Sequence, residues 1–490
     1  MQESRYQKLA ARSKEVATIR ATGSLLGWDQ DTFMPKKGVA FRADQLAWLD
    51  GHAHRLWTDP EVGRWIEDGL AGAPGPETIE AANLREWSHS YRRATRLPAA
   101  LVEDFTRTKS LAREAWLQAR RDSKFEVFEP LLSRIIELNR QMADLWGYED
   151  SPYDALLEEF EPGARARDLE PLLQELCRGI VSLRRAMPRR ELVSLEGNYP
   201  VAAQQAFNQR VAEAIGFDFE GGRIDTTAHP FCSGIGPGDC RLTTRYNERD
   251  FTQSLFGVLH EAGHGMYEQG LPVEHFGTPC GSAVSLGIHE SQSRLWENHV
   301  GRALEFWEHW FPLAADTFLG LRKFTPEQVW RAVNKVSSSF IRVEADEVTY
   351  DLHIALRFTI ERALLEGRLK VSEIPARWND LFEAAFDLKV PDDARGCLQD
   401  IHWSIGSFGY FPTYTLGNLN AAQIFHRAGA DIPELRSSLR AGQYRPLLDW
   451  LRRSIHAHGQ RYRAPELMAL ATGEKTAHRY HVAYLQAKFG

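Results

Sequence analysis

The sequence predicts a mostly α-helical protein, a large helical body with one small β-sheet inserted near residues 190–250. Two observations predict this fold class. Apolar residues recur at spacings of three and four along most of the 490 residues, which is typical of amphipathic helices. Residues 190–250 interrupt this pattern with glycine and proline breaks and with short runs of β-branched and aromatic residues. No polar stretch is long enough to separate domains, so we expect a single domain over residues 1–490.

Residues 1–190 are expected to form the N-terminal helical part. The helical spacing of apolar residues is clearest in three segments, Gln2 to Leu26, Leu101 to Ala119 and Phe128 to Trp146. Proline and glycine are expected to separate helices at three breaks, Met34-Pro35, Pro74-Gly75-Pro76 and Pro162-Gly163.

The predicted sheet follows this helical part. The runs Arg223 to Thr227 and Cys240 to Tyr246 predict its strands, while the glycines from Gly234 to Gly238 read as a break. From Phe251 the chain is expected to be helical again, with loops at 270–285 and 389–414. Within the single domain, residues of about 220–420 are expected to form the functional site and its groove, and residues of about 420–490 are expected to form amphipathic C-terminal helices.

Composition and charge exclude several classes of function. Hydrophobic residues make up 43% and charged residues 26% of the chain, which is globular composition. The net charge is −7, so no nucleic-acid partner is expected, because phosphate binding needs a basic surface. No run of about 18 apolar residues occurs, so no membrane association is expected.

The expected location is cytoplasmic. The first residues contain no apolar segment of the kind found in secretory signals. The five cysteines show no CxxC spacing, which favours reduced thiols, although a local pair between Cys232 and Cys240 stays open.

The strongest chemical signal is the segment His260-Glu261-Ala262-Gly263-His264. On a helix, residues four apart lie on one face, so His260 and His264 can bind the same metal ion. Glu261 lies about 100° around the helix from His260. It can therefore reach a water on the metal rather than the metal itself, as in the HExxH arrangement of zinc peptidases.

The surroundings of this motif favour a metal over two solvated surface histidines. Apolar residues occur on several sides of the predicted helix, and buried histidines and carboxylates need partners. Gly263 and Gly265 each weaken a helix by about 1 kcal/mol relative to alanine. Their presence indicates that another backbone or a substrate approaches closely.

A catalytic zinc needs a third protein ligand, and Glu290 is the candidate. It lies 26 residues past His264 at the start of a predicted helical stretch, Ser291 to Trp307, which leaves room for a loop and a returning helix. His289 is the competing ligand, but neighbouring helical positions point about 100° apart, so only one of the two should face the metal. Zinc sites with two histidines and a third Glu are common among peptidases, which favours Glu290 and leaves His289 to pack or to support the ligands. The same ligands bind several divalent ions, so the residues do not choose among Zn²⁺, Co²⁺ and Mn²⁺.

Beyond this motif, the sequence resembles the carboxypeptidase Taq family of metallocarboxypeptidases. Six segments occur in that family's order: His229-Pro230-Phe231, Asp239 to Thr244, the 260–264 motif, the HESQS stretch 289–293, Ile341 to Asp346, and Gly396 to Trp403. Trp28 to Pro35, Phe160 to Gly163, Trp450-Leu451 and Ala471 to Gly473 are also similar. The resemblance covers nearly the whole chain and shows no departure at the metal or acid positions.

The resemblance implies a helical fold with a small sheet and a deep active-site groove, and it implies a homodimer. It also implies one divalent metal per chain, with Zn²⁺ expected first. The implied activity is the removal of single amino acids from peptide C-termini with broad specificity. Peptide substrates are therefore the expected partners.

Four residues are expected to act in catalysis. Glu261 would accept a proton from the attacking water and deliver it to the leaving amine. The segment His402 to Tyr414 resembles the His–Gly–Tyr segment of thimet-type oligopeptidases, in which histidine and tyrosine side chains contact the reacting carbonyl. This likeness assigns His402, Tyr410 and Tyr414 to the oxyanion, with core packing as the alternative for the tyrosines.

A carboxypeptidase must also bind the free C-terminal carboxylate, which the fork of an arginine matches. Arg342 and Arg241 both lie in segments shared with the family, and Arg342 is the preferred clamp. The alternatives are an ion pair of Arg342 with Asp346 on one helix face, and a pair of Arg241 with Asp239 that holds the sheet.

Four more residues are candidates for supporting roles. His229 is expected either to line the groove as a substrate contact or to pack beside it. Asp346, Glu347 and Asp400 are candidates to orient the ligand histidines, because such histidines usually donate their second N–H to a carboxylate.

Two other functions stay open. A thimet-type metallo-oligopeptidase would share the same metal motif and cut short peptides internally. A non-catalytic helical peptide-binding protein would keep the groove without turnover, but the intact set of His260, Glu261, His264 and Glu290 argues against it. A peptide with an amidated C-terminus separates the first alternative from a carboxypeptidase, which should fail to cut it.

Overall fold

Twenty α-helices and one three-stranded sheet form the described part of the chain, residues 4–188 and 191–490, in the computed structural model. The predicted fold class, mostly α with one small sheet, is confirmed. None of the described helices is both long and apolar enough to cross a membrane.

Nine helices precede the sheet. Their bounds are α1 Arg5–Thr32, α2 Val39–Trp57, α3 Pro60–Ala71, α4 Ile79–Arg96, α5 Ala99–Asp122, α6 Glu129–Trp146, α7 Pro152–Leu157, α8 Ala166–Ala186 and α9 Val201–Ile215. All three predicted breaks fall between helices, because each contains a proline or glycine that cannot continue the helix. Helix α1 begins with a capping box between Ser4 and Gln7, and the predicted start at Gln2 lies outside the described residues.

The sheet has the strand order β1-β3-β2, with β1 Gly222–Thr226, β2 Cys232–Gly236 and β3 Asp239–Thr244. Strand β1 pairs parallel to β3, and β2 pairs antiparallel to it. Both predicted strands are present within two residues of their expected ends. The predicted break at Gly234 to Gly238 is only partly a turn, because Gly234 and Gly236 belong to strand β2. The two-residue turn Pro237-Gly238 joins β2 to β3 as a hairpin, and Gly238 takes the positive φ of 77° that this turn requires.

Two neighbouring helices carry the metal motif and Glu290, the candidate third ligand. Helix α10, Phe251–Glu268, begins at the N-cap Asp250 and packs on β3 and on α11, Leu286–Arg294. The predicted loop 270–285 separates them. The expectation that the second helical stretch begins at Ser291 is wrong, since α11 begins at Leu286 with Ser285 as its cap.

The stretch after α11 is also less regular than expected. A π-helical turn over Leu295–Gly301 widens the backbone before α12, Leu304–Thr317. Such turns are rare and frequently occur at functional sites.

Eight more helices complete the chain. Their bounds are α13 Pro326–Val333, α14 Tyr350–Leu365, α15 Ile374–Phe386, α16 Pro412–Asp431, α17 Leu435–Arg440, α18 Arg445–Ser454, α19 Ala464–Thr472 and α20 His478–Phe489. The predicted loop 389–414 ends at 411, so Tyr414 lies in the first turn of α16. Arg342 lies in a 3₁₀ turn of three residues, so the expected helical i, i+4 relation to Asp346 is wrong.

Two large hydrophobic clusters hold these helices together. One contains apolar residues of α9, α10, α12 and the sheet, and the other contains residues of α5 to α8, α14 and α15. Helix α11 packs against α10 on one side and α16 on the other, and α16 contributes residues to both clusters. Glu290, the candidate third ligand, therefore lies on a helix that packs between α10 and α16.

Candidate metal centre

Three side chains converge where α10 and α11 pack together. The Nε2 atom of His260 lies 3.7 Å from Oε2 of Glu290, and Nε2 of His264 lies 3.5 Å from the same oxygen. Ligand atoms bonded to a tetrahedral zinc at 2.0–2.2 Å are about 3.3–3.6 Å apart. Two imidazoles and one carboxylate at this spacing fit one divalent metal.

Glycines allow the helices to come this close. A Cβ atom on Gly263, between the two histidines, would lie 2.6 Å from the carbonyl oxygen of Gln292 and from Cα of Ser293 on α11. A Cβ atom on Gly417 of α16 would lie 2.4 Å from Cγ of Glu290. The close approach that the sequence indicated at Gly263 is therefore a contact between the two ligand-bearing helices.

His260 is oriented by a carboxylate on the π-helical turn. Its Nδ1 atom lies 3.0 Å from Oε2 of Glu297, which leaves Nε2 for the metal. Arg294 and Arg302 also donate to Glu297. Burial alone would raise the pKa of Glu297, but its hydrogen bond to His260 and the two guanidinium groups hold this pKa well below its usual value.

His264 is oriented by a second histidine. Nδ1 of His264 lies 2.5 Å from Nδ1 of His289, whose Nε2 lies 2.8 Å from Oε1 of Glu268. With Nε2 of His264 on a metal, its Nδ1–H donates to His289, and the Nε2–H of His289 donates to Glu268. Burial lowers the pKa of His264 to about 4, so this imidazole is neutral, as a ligand must be.

Glu290 has one oxygen held and one oxygen facing the histidines. Arg294 donates from Nε to Oε1 of Glu290 at 2.7 Å, and Oε2 points to the two imidazoles. Burial would raise the pKa of Glu290, but Arg294 and His260 hold it well below its usual range. The carboxylate is therefore ionised, as metal binding requires.

Glu261 lies beside this group without a partner of its own. Its side chain is only 7% exposed, and no donor in the described residues makes a hydrogen bond to its carboxylate. Burial raises the pKa of Glu261 to about 7. A carboxyl group with a pKa near neutrality suits the acceptance and return of a proton.

The three residues expected at the oxyanion form one aromatic group. The ring centroid of Tyr410 lies 5.3 Å from that of His402 and 5.3 Å from that of Tyr414. The charge of Glu290 acts to raise the pKa of both tyrosines, so they lie near the metal ligands. Burial lowers the pKa of His402 to about 4, which keeps its ring neutral.

Arg342 has an ion-pair partner, and it is not the expected one. Its Nε and Nη2 atoms donate to Oδ1 of Asp400 at 3.1 and 2.9 Å, and Nη1 donates to the hydroxyl of Tyr350. Arg357 donates to the other oxygen of Asp400. The suggested pair with Asp346 is therefore wrong. That carboxylate instead accepts the backbone N–H groups of Val348 and Thr349 in the next turn and of Ser337 earlier in the chain.

The carboxylates suggested to orient the ligand histidines have other partners. Asp400 binds two arginines, and Glu347 pairs with Lys488 and Tyr484. Glu297 and Glu268 take the suggested role instead. One sequence signal could have found Glu297, because it lies seven residues after Glu290 along the same helical stretch.

The two remaining sequence candidates lie at the sheet. Arg241 on β3 makes two bonds to Asp239, at 2.7 and 2.8 Å, and its guanidinium lies 4.2 Å from the ring of Trp28. The pairing with Asp239 was one of the alternatives, but both residues lie on β3, so the pair does not join strands; the contact with Trp28 connects β3 to α1. His229 is exposed and lies in the bend that follows β1.

A cavity of about 770 Å³ lies at the Glu268 end of α10, and His260, His264 and Glu290 are not among its lining residues. Helices α1 and α4 form one wall, and the β2–β3 turn with the end of α10 forms the other. Glu268, the residue that holds His289, lines this cavity. Glu268 therefore connects this cavity to His264 through His289, and the volume lies within the range of known ligand pockets.

The chain is similar to known metallopeptidases. The family model described as carboxypeptidase Taq (M32) metallopeptidase matches residues 8–489. Thermostable carboxypeptidase 1 from Thermus thermophilus is 44% identical, covering 99% of this chain and 98% of the relative. Carboxypeptidase 1 from Bacillus subtilis is 34% identical, covering 97% and 96%.

Solved structures are similar as well. The crystal structure of the M32 carboxypeptidase from Deinococcus radiodurans is 37% identical, has a TM-score of 0.96, and covers 99% of both chains. The resemblance stated on sequence segments is thus confirmed by matches that cover nearly every residue. The chain belongs to the carboxypeptidase Taq (M32) family of metallopeptidases.

Proposed function

We propose that this protein is a metal-dependent carboxypeptidase that removes single amino acids from peptide C-termini with broad specificity. The observation that carries the proposal is the set of His260, His264 and Glu290, whose nitrogen–oxygen distances of 3.5 and 3.7 Å are close to tetrahedral spacing, with the unpartnered Glu261 beside it. Membership of a metallopeptidase family supports the same activity. The family match over residues 8–489 supports treating the chain as one catalytic domain.

His260, His264 and Glu290 would hold one divalent metal, with Zn²⁺ proposed first and Co²⁺ or Mn²⁺ as alternatives. A divalent metal supplies Lewis acidity, lowering the pKa of water and polarising a carbonyl. The chain's own contribution is to hold the ligands ready. Glu297 and His289 leave one nitrogen of each histidine free, and Arg294 leaves one oxygen of Glu290 free.

Glu261 is the proposed proton carrier. Its carboxylate accepts a proton from the attacking water and later delivers it to the nitrogen of the leaving amino acid. The pKa near 7 that burial imposes supports both halves of this role, because neither protonation state is strongly disfavoured at neutral pH.

His402, Tyr410 and Tyr414 are proposed to donate hydrogen bonds to the oxygen that becomes negative in the transition state. Their mutual ring contacts and their position near Glu290 support a shared role. The two hydroxyl groups keep their protons at neutral pH, since burial raises both tyrosine pKa values. They can therefore act as donors.

Arg342 is the proposed contact for the C-terminal carboxylate of the substrate. Three of its N–H groups are used by Asp400 and Tyr350, and an arginine carries five. Its guanidinium lies 5.0 Å from the ring of Tyr414. Arg241 and His229 are proposed as further substrate contacts at the sheet, whose hairpin lines the cavity.

A defined peptide of ten residues tests the activity. The metal-loaded protein is incubated with the peptide in a free and a C-terminally amidated form, and the products are weighed by mass spectrometry. We expect stepwise loss of single residues from the free peptide alone. Internal cuts in both peptides would instead assign a thimet-like oligopeptidase, and tight binding without cleavage would assign a peptide-binding protein.

The variant Glu261→Gln tests the proton carrier. We expect kcat to fall by about 10²–10⁴-fold, since this is the usual contribution of a positioned acid or base. Bound metal should stay near one equivalent, because Glu261 is not a ligand. Glu213→Gln, on the exposed face of α9, is the matched control and should leave kcat unchanged.

A homodimer in the cytoplasm is proposed for the working protein. The resemblance to the family supports the dimer, and the reduced state expected of the five cysteines supports the location. Sedimentation equilibrium of the purified chain tests the dimer, and a single species of 55.7 kDa would contradict it.

A further inference from the structure

The start of helix α11 is capped by a segment from a distant part of the chain. This exit segment, residues 157–161, leads out of helix α7. Its Phe160 carbonyl accepts the N–H of Leu286 at 3.0 Å. The carboxylate of Glu161 accepts the N–H of Gly287 at 2.9 Å. One residue pair therefore satisfies two of the N–H groups that a helix leaves free at its first turn.

A serine completes the cap. Ser285 donates its hydroxyl to Oε1 of Glu161 at 2.9 Å and accepts the N–H of Ile288 at 3.2 Å. Glu161 thus holds the helix start with both oxygens, one directly and one through Ser285. Burial raises the pKa of Glu161 to about 7, and its ionised form is favoured by the positive end of the α11 dipole.

The carboxylate of Glu161 is tightly packed. Glu161 is only 4% exposed. A Cβ atom on Gly287 would lie 2.7 Å from Oε2 of Glu161, so a residue without a side chain is needed for this approach. The backbone of Glu161 is itself fixed, because its N–H donates to the carbonyl of Leu157 at the end of α7.

The position of this cap along the helix links it to the metal ligands. Glu290 follows Gly287 by three residues, about one helical turn and 4.5 Å along the axis. Its Oε2 must stay 3.5–3.7 Å from two imidazole nitrogens on another helix. A shift of the first turn of α11 would therefore move the carboxylate relative to His260 and His264.

The exit segment also contacts the aromatic group. The ring of Phe160 lies 5.1 Å from that of Tyr410, edge to face. A Cβ atom on Gly409 would lie 3.0 Å from the backbone of Leu156 and Leu157. The same short stretch therefore abuts both the helix of Glu290 and the loop that carries Tyr410.

We propose that Glu161 is a positioning residue that sets the placement of Glu290 by capping the first turn of α11, and that metal affinity depends on it. This inference rests on the proposed metal site. It predicts that a change 129 positions before the ligand in sequence weakens metal binding without touching any ligand atom.

The test is the variant Glu161→Gln. A glutamine keeps one oxygen that can accept the N–H of Gly287, while its NH₂ group can only donate to Ser285. The hydroxyl proton of Ser285 then loses its acceptor, and the cap loses the stronger bonds of a carboxylate. We expect the Kd for Zn²⁺, measured by competition with a chromogenic chelator, to rise about tenfold. Thermal unfolding of the metal-free protein is recorded in parallel, so that a folding defect is seen separately.

Asp154→Asn is the matched control. Asp154 is also buried, and its carboxylate caps another helix by accepting the N–H of Ala166 at the start of α8 at 2.7 Å. That helix carries none of the proposed site residues. We expect both variants to unfold at lower temperature and only Glu161→Gln to weaken Zn²⁺ binding, with Asp154→Asn within twofold of the unchanged protein.

Other outcomes distinguish a failure of the proposed metal site from a failure of the positioning role of Glu161. If the unchanged protein binds Zn²⁺ no better than a His260→Ala variant, the proposed metal site is wrong and this inference falls with it. If the site binds Zn²⁺ but Glu161→Gln binds equally well, only the positioning role is refuted.

Should Glu161→Gln not fold, Ser285→Ala replaces it. We expect this variant, which removes only the hydroxyl bridge, to show a Kd about threefold higher, and an unchanged Kd would overturn the proposal.

Discussion

Replacing Gly263 with alanine should separate the two ligand-bearing helices and weaken metal binding. Gly263 lies between His260 and His264, and an added Cβ would lie 2.6 Å from the backbone of α11. Ordinary contact begins near 3.4 Å, so the helices must part by about 0.8 Å at this point. The clash is with backbone atoms, which cannot rotate away as a side chain can.

The size of the effect follows from these distances. Glu290 would move from 3.5–3.7 Å to more than about 4 Å from the imidazole nitrogens, beyond the spacing of a tetrahedral zinc site. We expect the Kd for Zn²⁺ to rise about 10–100-fold. Overpacking costs about 1–3 kcal/mol and the helix gains about 1 kcal/mol from alanine, so the free energy of unfolding should fall by no more than about 2 kcal/mol.

Chelator competition measures the Kd, and denaturant unfolding of the metal-free protein measures the stability. Gly265→Ala is the matched control, because its Cβ would lie 2.7 Å from the ring of Phe217 and 2.9 Å from Leu242, away from α11. It should lower stability and leave the Kd within twofold. The reasoning is refuted if Gly263→Ala binds Zn²⁺ as tightly as the unchanged protein, or if both variants lose affinity equally.

Three further predictions follow from the same contacts. Glu297→Gln should raise the Kd for Zn²⁺ about 10–100-fold in the chelator assay, because His260 loses its orienting carboxylate; an unchanged Kd would contradict this. Asp400→Asn should lower the free energy of unfolding by about 3–5 kcal/mol in denaturant titrations, since two buried arginines lose their counterion, and a loss below about 1 kcal/mol would count against it. Burial raises the pKa of Glu361 from 4.5 to about 7 in the folded state. Between these two pH values the folded protein keeps a proton that the unfolded chain releases. The free energy of unfolding should therefore fall by about 3 kcal/mol as pH rises from 4.5 to above 7. Glu361→Gln should remove that part of the slope, and equal slopes in both proteins would show that the group is not responsible.

Much of the site was predictable because it lies within single helical turns. His260, Glu261 and His264 fall on one helix by spacing alone, and the glycine between the histidines already indicated a close approach. Glu290 was predictable from its distance along the chain and its residue type. The helices of the N-terminal part were equally clear, since proline and glycine separate them at each predicted break.

Strand β2 was not predicted, because its glycines favour a turn and only the pairing with β3 makes them a strand. They are tolerated in a strand here because β3 supplies the hydrogen-bonding partner. Spacing along the chain cannot reveal that partner. The same limit applied to α11, whose start at Leu286 depends on a cap from Glu161.

The amino-acid sequence by itself determined the helical class, the family, and the residue types that can hold a metal, because these depend on local periodicity and on motifs of a few residues. Only the tertiary structure decided which groups support them. It paired Arg342 with Asp400 rather than with Asp346, and it brought Glu297 and His289 behind the two ligand histidines. These contacts join helices far apart in sequence, so they depend on how α10, α11 and α16 pack, and side-chain packing across helices leaves no periodic trace in one chain.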